Sequence, residues 1–159
     1  MRLFKPAIFF IFLSVLIFSC VEIVDYPNIP QVKFKEYILE DSLFVFQVID
    51  GDGDIGLTQY DTVGPYHQDS VYNKNFFMKV LERKDSIYTE FEFENPLEYR
   101  IPYPFENKPQ GQNKTFKADI EVDLSVIVEF PRDSFKFEFF IYDRALHQSN
   151  IETTPAFIY

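Results

Sequence analysis

The stretch Asp50-Gly51-Asp52-Gly53-Asp54-Ile55-Gly56 combines residue types and spacing that point to a specific chemistry. Carboxylates stand at every second position, and the intervening glycines let the backbone curl until the carboxylates converge. Three such charges repel one another unless a hard cation neutralises them. Ca²⁺ is the natural occupant, because it accepts about six to eight oxygens in a flexible geometry. The same residues also read as an ordinary Asp/Gly turn leaving a strand. The chain offers little else that could do chemistry. Its two histidines, His67 and His147, fall in polar stretches, and neither has a second ligand at metal-binding spacing. Asp69-Ser70 lies near His67, but no nucleophile elbow or Gly-rich oxyanion turn surrounds a serine. There is no phosphate loop and no dinucleotide fingerprint. These absences lead us to expect a protein that is not an enzyme.

The acidic spacing resembles the calcium loops of the EF-hand family. In that frame Asp50, Asp52 and Asp54 match ligand positions one, three and five. The resemblance implies a carbonyl ligand from Gly56 at position seven and a carboxylate from Asp61 at position twelve. Ile55 stands where that loop carries its invariant glycine, and the flanks are a strand and a polar loop instead of two helices. Only the local Asp-x-Asp-x-Asp logic therefore carries over.

The elements around this loop read as strands. Gln31 to Leu39 alternates, with Val32 and Phe34 on one face, and Ser42 to Ile49 is an apolar run that predicts a strand buried on both faces. Residues 50–75 form a long polar loop. Phe76 to Glu82 resumes a strand, and Ser86 to Phe93 places Ile87, Thr89, Phe91 and Phe93 on one side. Pro96, Pro102, Pro104 and Pro109 exclude a central strand from 94–113. Thr115 to Leu124 alternates most cleanly, with Phe116, Ala118, Ile120, Val122 and Leu124 inward. Ser134 to Asp143 presents Phe135, Phe137, Phe139 and Ile141 inward, and Ala156 to Tyr159 closes the chain. About seven strands with one apolar face predict an all-β fold, a β-sandwich spanning residues 31–159.

The segment Phe139-Phe140-Ile141-Tyr142-Asp143-Arg144-Ala145, followed by His147-Gln148-Ser149-Asn150, resembles the last hairpin of bacterial immunoglobulin-like domains. The resemblance implies an immunoglobulin-like sandwich in which the B–C and F–G loops share one end. If Ser42–Ile49 is strand B and Ser134–Tyr142 is strand F, Asp143 and Asn150 complete a cation shell around Asp50–Asp54.

The N-terminus carries Arg2 and Lys5, then an apolar run from Ala7 to Phe18 broken only by Ser14. This is the layout of a secretory signal, too short to span a bilayer comfortably. It ends Leu16-Ile17-Phe18-Ser19-Cys20, which resembles the lipobox of bacterial lipoproteins. The resemblance implies a signal peptide over 1–19, diacylglycerol and an acyl chain such as palmitate on Cys20, and anchoring in a membrane. Val21 after the cysteine, by likeness to Gram-negative sorting signals, implies the outer membrane. Cys20 is the only cysteine, so no intramolecular disulfide forms. Residues 20–30, with Pro27 and Pro30, read as an extended lipidated tether.

The formal net charge is −10, and loss of Arg2 and Lys5 with the leader makes the mature chain more acidic still. Such a charge argues against nucleic acid and against anionic headgroups as partners. Tyr60, Tyr66, Tyr72, Tyr99, Tyr103 and Phe105 fall in the two long loops, where they either cap the sandwich or contact a glycan or envelope protein. Four tripeptides, Asp41-Ser42-Leu43, Asp61-Thr62-Val63, Asp69-Ser70-Val71 and Asp85-Ser86-Ile87, resemble the O-glycosylation signal of some Gram-negative bacteria. The pair in the long loop makes Thr62 and Ser70 the candidate acceptors. The leading expectation is a lipid-anchored binding or adhesion module of the cell envelope with a structural calcium ion. The alternatives are an accessory lipoprotein of an outer-membrane uptake or secretion complex, and a metal-assisted hydrolase using the aspartate cluster.

Overall fold

A computed structural model describes residues 26–104, 114–127, 130–131 and 133–158. The leader, Cys20 and Phe105 lie outside the described residues. The fold is all-β with almost no helix. Among the described residues nine strands run β1 (Gln31–Ile38), β2 (Leu43–Asp50), β3 (Phe76–Lys84), β4 (Ile87–Glu90), β5 (Leu97–Tyr99), β6 (Phe116–Asp123), β7 (Ser134–Ile141), β8 (Glu152–Thr153) and β9 (Phe157–Ile158). Two short 3-10 turns, Gly64–Tyr66 and Val71–Asn73, interrupt the long loop after β2. No helix among the described residues is long and apolar enough to cross a membrane.

The strands form two antiparallel sheets. One has the order β1-β2-β6; the other has the order β4-β3-β7-β8, with β5 also pairing with β3 and β9 with β7. Their inner faces are unusually aromatic. Phe44 of β2 meets Phe137 and Phe139 of β7, each edge-on at 5.0 Å, and Phe46 stacks on Phe76 of β3 at 5.0 Å. These rings are fully buried. Such pairs add about 0.5–1.5 kcal/mol each beyond the area they bury.

Local departures from simple alternation have identifiable causes. In β1 the register slips between Phe34 and Glu36, a bulge that turns both Phe34 and Tyr37 toward the core although their spacing is odd. The β3–β4 hairpin turns on Asp85 (φ 49°) and Ser86 (φ 70°), both left-handed, as a two-residue primed turn requires. This turn carries Ile87 beyond the core, so Ile87 is exposed despite the alternation it begins, and β4 stops at Glu90. Residues 94–113 do contain a strand, β5, but it is three residues long at a sheet edge between Pro96 and Pro102. The sequence pattern also gave no sign of β8. Its neighbours close the free edge of β1 with side chains: Asn150 accepts from Val32 N–H through Oδ1 (2.8 Å) and donates through Nδ2 to the Val32 carbonyl (2.9 Å).

Candidate metal centre

β2 ends at Asp50 and β7 ends just before Asp143, at the same end of the two sheets. Asp50 is fully buried, and its Oδ2 accepts a hydrogen bond from the Asp54 N–H at 2.9 Å, closing a tight turn in which Gly53 takes a φ of 67°. The turn swings the Asp54 carboxylate back toward Asp50. Arg144 N–H donates to the Asp54 carbonyl at 3.2 Å, which locks the turn onto the segment following β7. As a result Asp50, Asp54 and Asp143 each present an oxygen within 4.8 Å of the other two.

The trio is electrostatically strained. Burial pushes the Asp50 carboxyl up to about 7, and the neighbouring charges of Asp52, Asp54 and Asp143 push the same way, against the Asp54 N–H. Asp54 is raised to about 6 by burial and by the charges of Asp143 and Asp52, opposed by the backbone N–H groups of Arg144 and Ala145. The Oδ1 atoms of Asp50 and Asp54 are buried and accept no hydrogen bond among the described residues. Asp143 is better supplied: His147 N–H donates to its Oδ1 at 2.7 Å, and His147 Nδ1 lies 2.9 Å from its Oδ2. An all-oxygen set of carboxylates with orphaned lone pairs suits a hard divalent cation.

The other sequence candidates are placed differently. Asp52 stands close enough for its charge to raise both Asp50 and Asp54, but it is not one of the three closely convergent groups. Asp61 stands outside the convergent trio. Its Oδ2 accepts from Arg144 Nη1 (2.6 Å) and from Thr58 N–H (2.6 Å) and Oγ1 (2.9 Å), and its Oδ1 from Arg144 Nη2 (2.9 Å). That pairing holds the Asp61 carboxyl down at about 2. The Gly56 carbonyl faces Arg144 Nη1 at 3.5 Å, so it too serves the arginine. Asn150 spends its amide on Val32, as described above, and so caps the sheet edge. His67 is half-exposed and lies 3.4 Å from Asp69, apart from the acidic trio. Arg144 falls within the hairpin segment but is given no role by it, and in the structure it braces the loop. Its neighbour in that role, Arg100, donates to the carbonyls of Asn73, Thr58 and Asp61.

Of the candidate acceptors, Thr62 is exposed, whereas the half-buried Ser70 caps the second 3-10 turn by accepting from Tyr72 N–H. Tyr66 donates to the Arg144 carbonyl, and Tyr103 lies 5.5 Å from its guanidinium. Tyr72 packs edge-on against Tyr142 at 5.1 Å. Most of the loop tyrosines thus cover the end of the sandwich, while Tyr60 projects into solvent. No protein-family model matches the chain, and no curated protein or solved structure matches it.

Proposed function

We propose that the protein is a non-enzymatic binding module of the cell envelope, lipid-anchored through Cys20 in the outer membrane and stiffened at one end by a structural Ca²⁺ ion. The convergence of Asp50, Asp54 and Asp143 carries this reading. Asp50 belongs to the β1-β2-β6 sheet and Asp143 follows β7 of the other sheet. A cation held between them cross-links the two layers where they would otherwise be pushed apart by like charge. The strand orders β1-β2-β6 and β4-β3-β7-β8 also fit an immunoglobulin-like arrangement, with β2 as strand B and β7 as strand F.

Burial separates this role from hydrolysis. A catalytic metal needs an open coordination position and a substrate cleft. Asp50 and Asp143 are 0% and 2% exposed, which suits a closed structural site. Recognition is better served by the outer face of the β3 sheet. There a groove of about 340 Å³ runs beside Phe77 and Phe140, whose rings stack at 5.2 Å, and Lys79, Glu90 and Glu98 line its sides. Aromatic rings flanked by charged groups suit a glycan or an envelope protein.

The test is calorimetric titration of Ca²⁺ into the mature chain carrying Cys20→Ser, beside the same chain with Asp54→Asn and Asp143→Asn. Saturable binding that both substitutions abolish supports the site; absence of heat and of thermal stabilisation overturns it. Metabolic labelling with a palmitate analogue, lost in Cys20→Ala, tests the anchor separately.

A further inference from the structure

The tether leaves the fold at the cation end. Gln31, which opens β1, pairs with Ile49 near the close of β2, so residues 26–30, the 51–75 loop and the 142–150 turn share one end. Residues 39–42, 84–87, 124–127 and 154–158 share the other. The tether is also fastened to the acidic loop. Gly51 N–H donates to the Pro27 carbonyl at 2.9 Å, and the backbone carbonyls of Tyr26 and Pro27 occupy the space a Cβ at Gly51 would need. From Cys20 to Tyr26 the chain can reach at most about 20 Å even when fully extended. The far end of the sandwich lies about 30 Å further along β3.

The end within reach displays apolar side chains on a braced surface. Tyr60, Val63 and Val71 are 76%, 73% and 58% exposed, and Ile29 on the tether is 50% exposed; Ile87, Val126 and Ile158 are comparably exposed at the other end, so it is the reach of the tether that selects between the two ends. The loop that carries the first three is fixed by the paired bonds from Arg144 to Asp61, by Arg100, and by Asn73 Nδ2 donating to the Tyr66 carbonyl. These side chains are therefore held out of the core by a defined backbone. Tyr and aliphatic residues are at home in the interfacial layer of a bilayer, where an apolar body and a polar tip are both satisfied. The acidic chain is repelled by anionic headgroups, which leaves a zwitterionic surface as the matching one.

We propose that the cation-bearing end is the membrane-facing end, with Tyr60, Val63 and Val71 seated in the interfacial layer of the zwitterionic bilayer that holds the anchor. This inference rests on the lipid-anchor reading of Cys20. It turns the hairpin tip at Ile87 away from the membrane and leaves the β3 groove on the flank, open to a partner.

The protein contains no tryptophan, so single reporters are unambiguous. The experiment places the lipidated mature protein, carrying Tyr60→Trp, Val63→Trp or Ile87→Trp, on phosphatidylcholine/phosphatidylethanolamine vesicles with and without acyl-brominated lipid. All three positions are exposed, so the substitutions leave the core untouched. The expected result is a blue shift and loss of most emission to bromine at positions 60 and 63, with position 87 unaffected. Vesicle-bound protein with no quenching at 60 and 63, or with quenching at 87 instead, overturns the orientation while the anchor stands. Protein that carries no lipid and does not sediment with vesicles overturns the anchor and the orientation together.

Discussion

Asp143, just past the end of β7, brings a carboxylate oxygen within 4.8 Å of one on Asp50, at the end of β2 in the opposite sheet. The two residues are remote in sequence, and neither alone makes a site. Because Asp54 completes the trio, affinity for Ca²⁺ should depend on both segments. Asp143→Asn is expected to weaken binding as strongly as Asp54→Asn, since each removes one of the three convergent carboxylates. Asp61→Asn is expected to leave affinity unchanged, because its carboxylate is held by Arg144. Calorimetric titration of the three variants decides; equal loss in Asp61→Asn would put the EF-hand-like ligand order back in place of the two-sheet site.

The raised carboxyls give a pH dependence with a definite sign. A carboxyl whose folded pKa exceeds its unfolded value binds its proton more tightly in the native state, so ionising it costs stability. Asp50 at about 7 and Asp54 at about 6, against an ordinary value of 3.8, place that loss between about pH 4 and pH 7. In the presence of a chelator, the melting temperature of the mature chain should fall as pH rises through this window. Added Ca²⁺ should restore it at pH 7 and do little near pH 4, where protons occupy the carboxylates. A chelator-independent melting profile across that window would remove the electrostatic argument for the site.

Asp61 acts in the opposite direction. Its folded pKa of about 2 means that its contribution is present above pH 4 and is lost as pH falls toward 2. The fork of Arg144 on Asp61 is partly sheltered, with both hydrogen bonds charge-assisted. Asp61→Asn should cost about 2 kcal/mol at pH 7, within the range for hydrogen bonds to charged groups. Urea unfolding measures it. The same variant should speed proteolysis in the 51–75 loop, because Asp61 is where Arg144 grips that loop.

Much of this architecture can be read from period-two patterning. Phe135, Phe137, Phe139 and Ile141 alternate and are all buried, and the expected boundaries of β1, β2, β6 and β7 lie within a residue or two of those observed. The pattern misleads where backbone geometry intervenes. Tyr37 reaches the core only because of the bulge after Phe34, and Ile87 is lifted off it by the turn at Asp85-Ser86. A two-residue strand such as Glu152–Thr153 has no period to detect. At the site, the Asp-Gly alternation points to Asp50 and Asp54, and the predicted sharing of one end by two loops points to Asp143. Counting along a single loop groups Asp61 and Gly56 with the aspartates, but the count ignores Arg144, which comes from another loop and contacts both. Asn150 carries a ligand-type side chain, yet the bare edge of β1 offers it a donor and an acceptor at once.

Gly51 joins the acidic loop to the tether, and a substitution there tests whether that junction matters. A Cβ at position 51 would meet the carbonyl oxygens of Tyr26 and Pro27, backbone atoms that cannot move aside without shifting the tether itself. Gly51→Ala should therefore break the bond from Gly51 N–H to the Pro27 carbonyl and release residues 26–30 from the loop. The core strands do not depend on this contact, so the loss in global stability should be modest, about 1 kcal/mol, a typical value for one hydrogen bond. The sharper expectation is local. Amide hydrogen exchange at Gly51 should rise by orders of magnitude while that of Phe46 and Phe139 is unchanged. On vesicles, the freed tether should let the domain tumble, and emission from Val63→Trp should lose its sensitivity to brominated lipid. Protection at Gly51 that survives the substitution would mean the tether is held by other contacts, and the orientation would then not depend on this glycine.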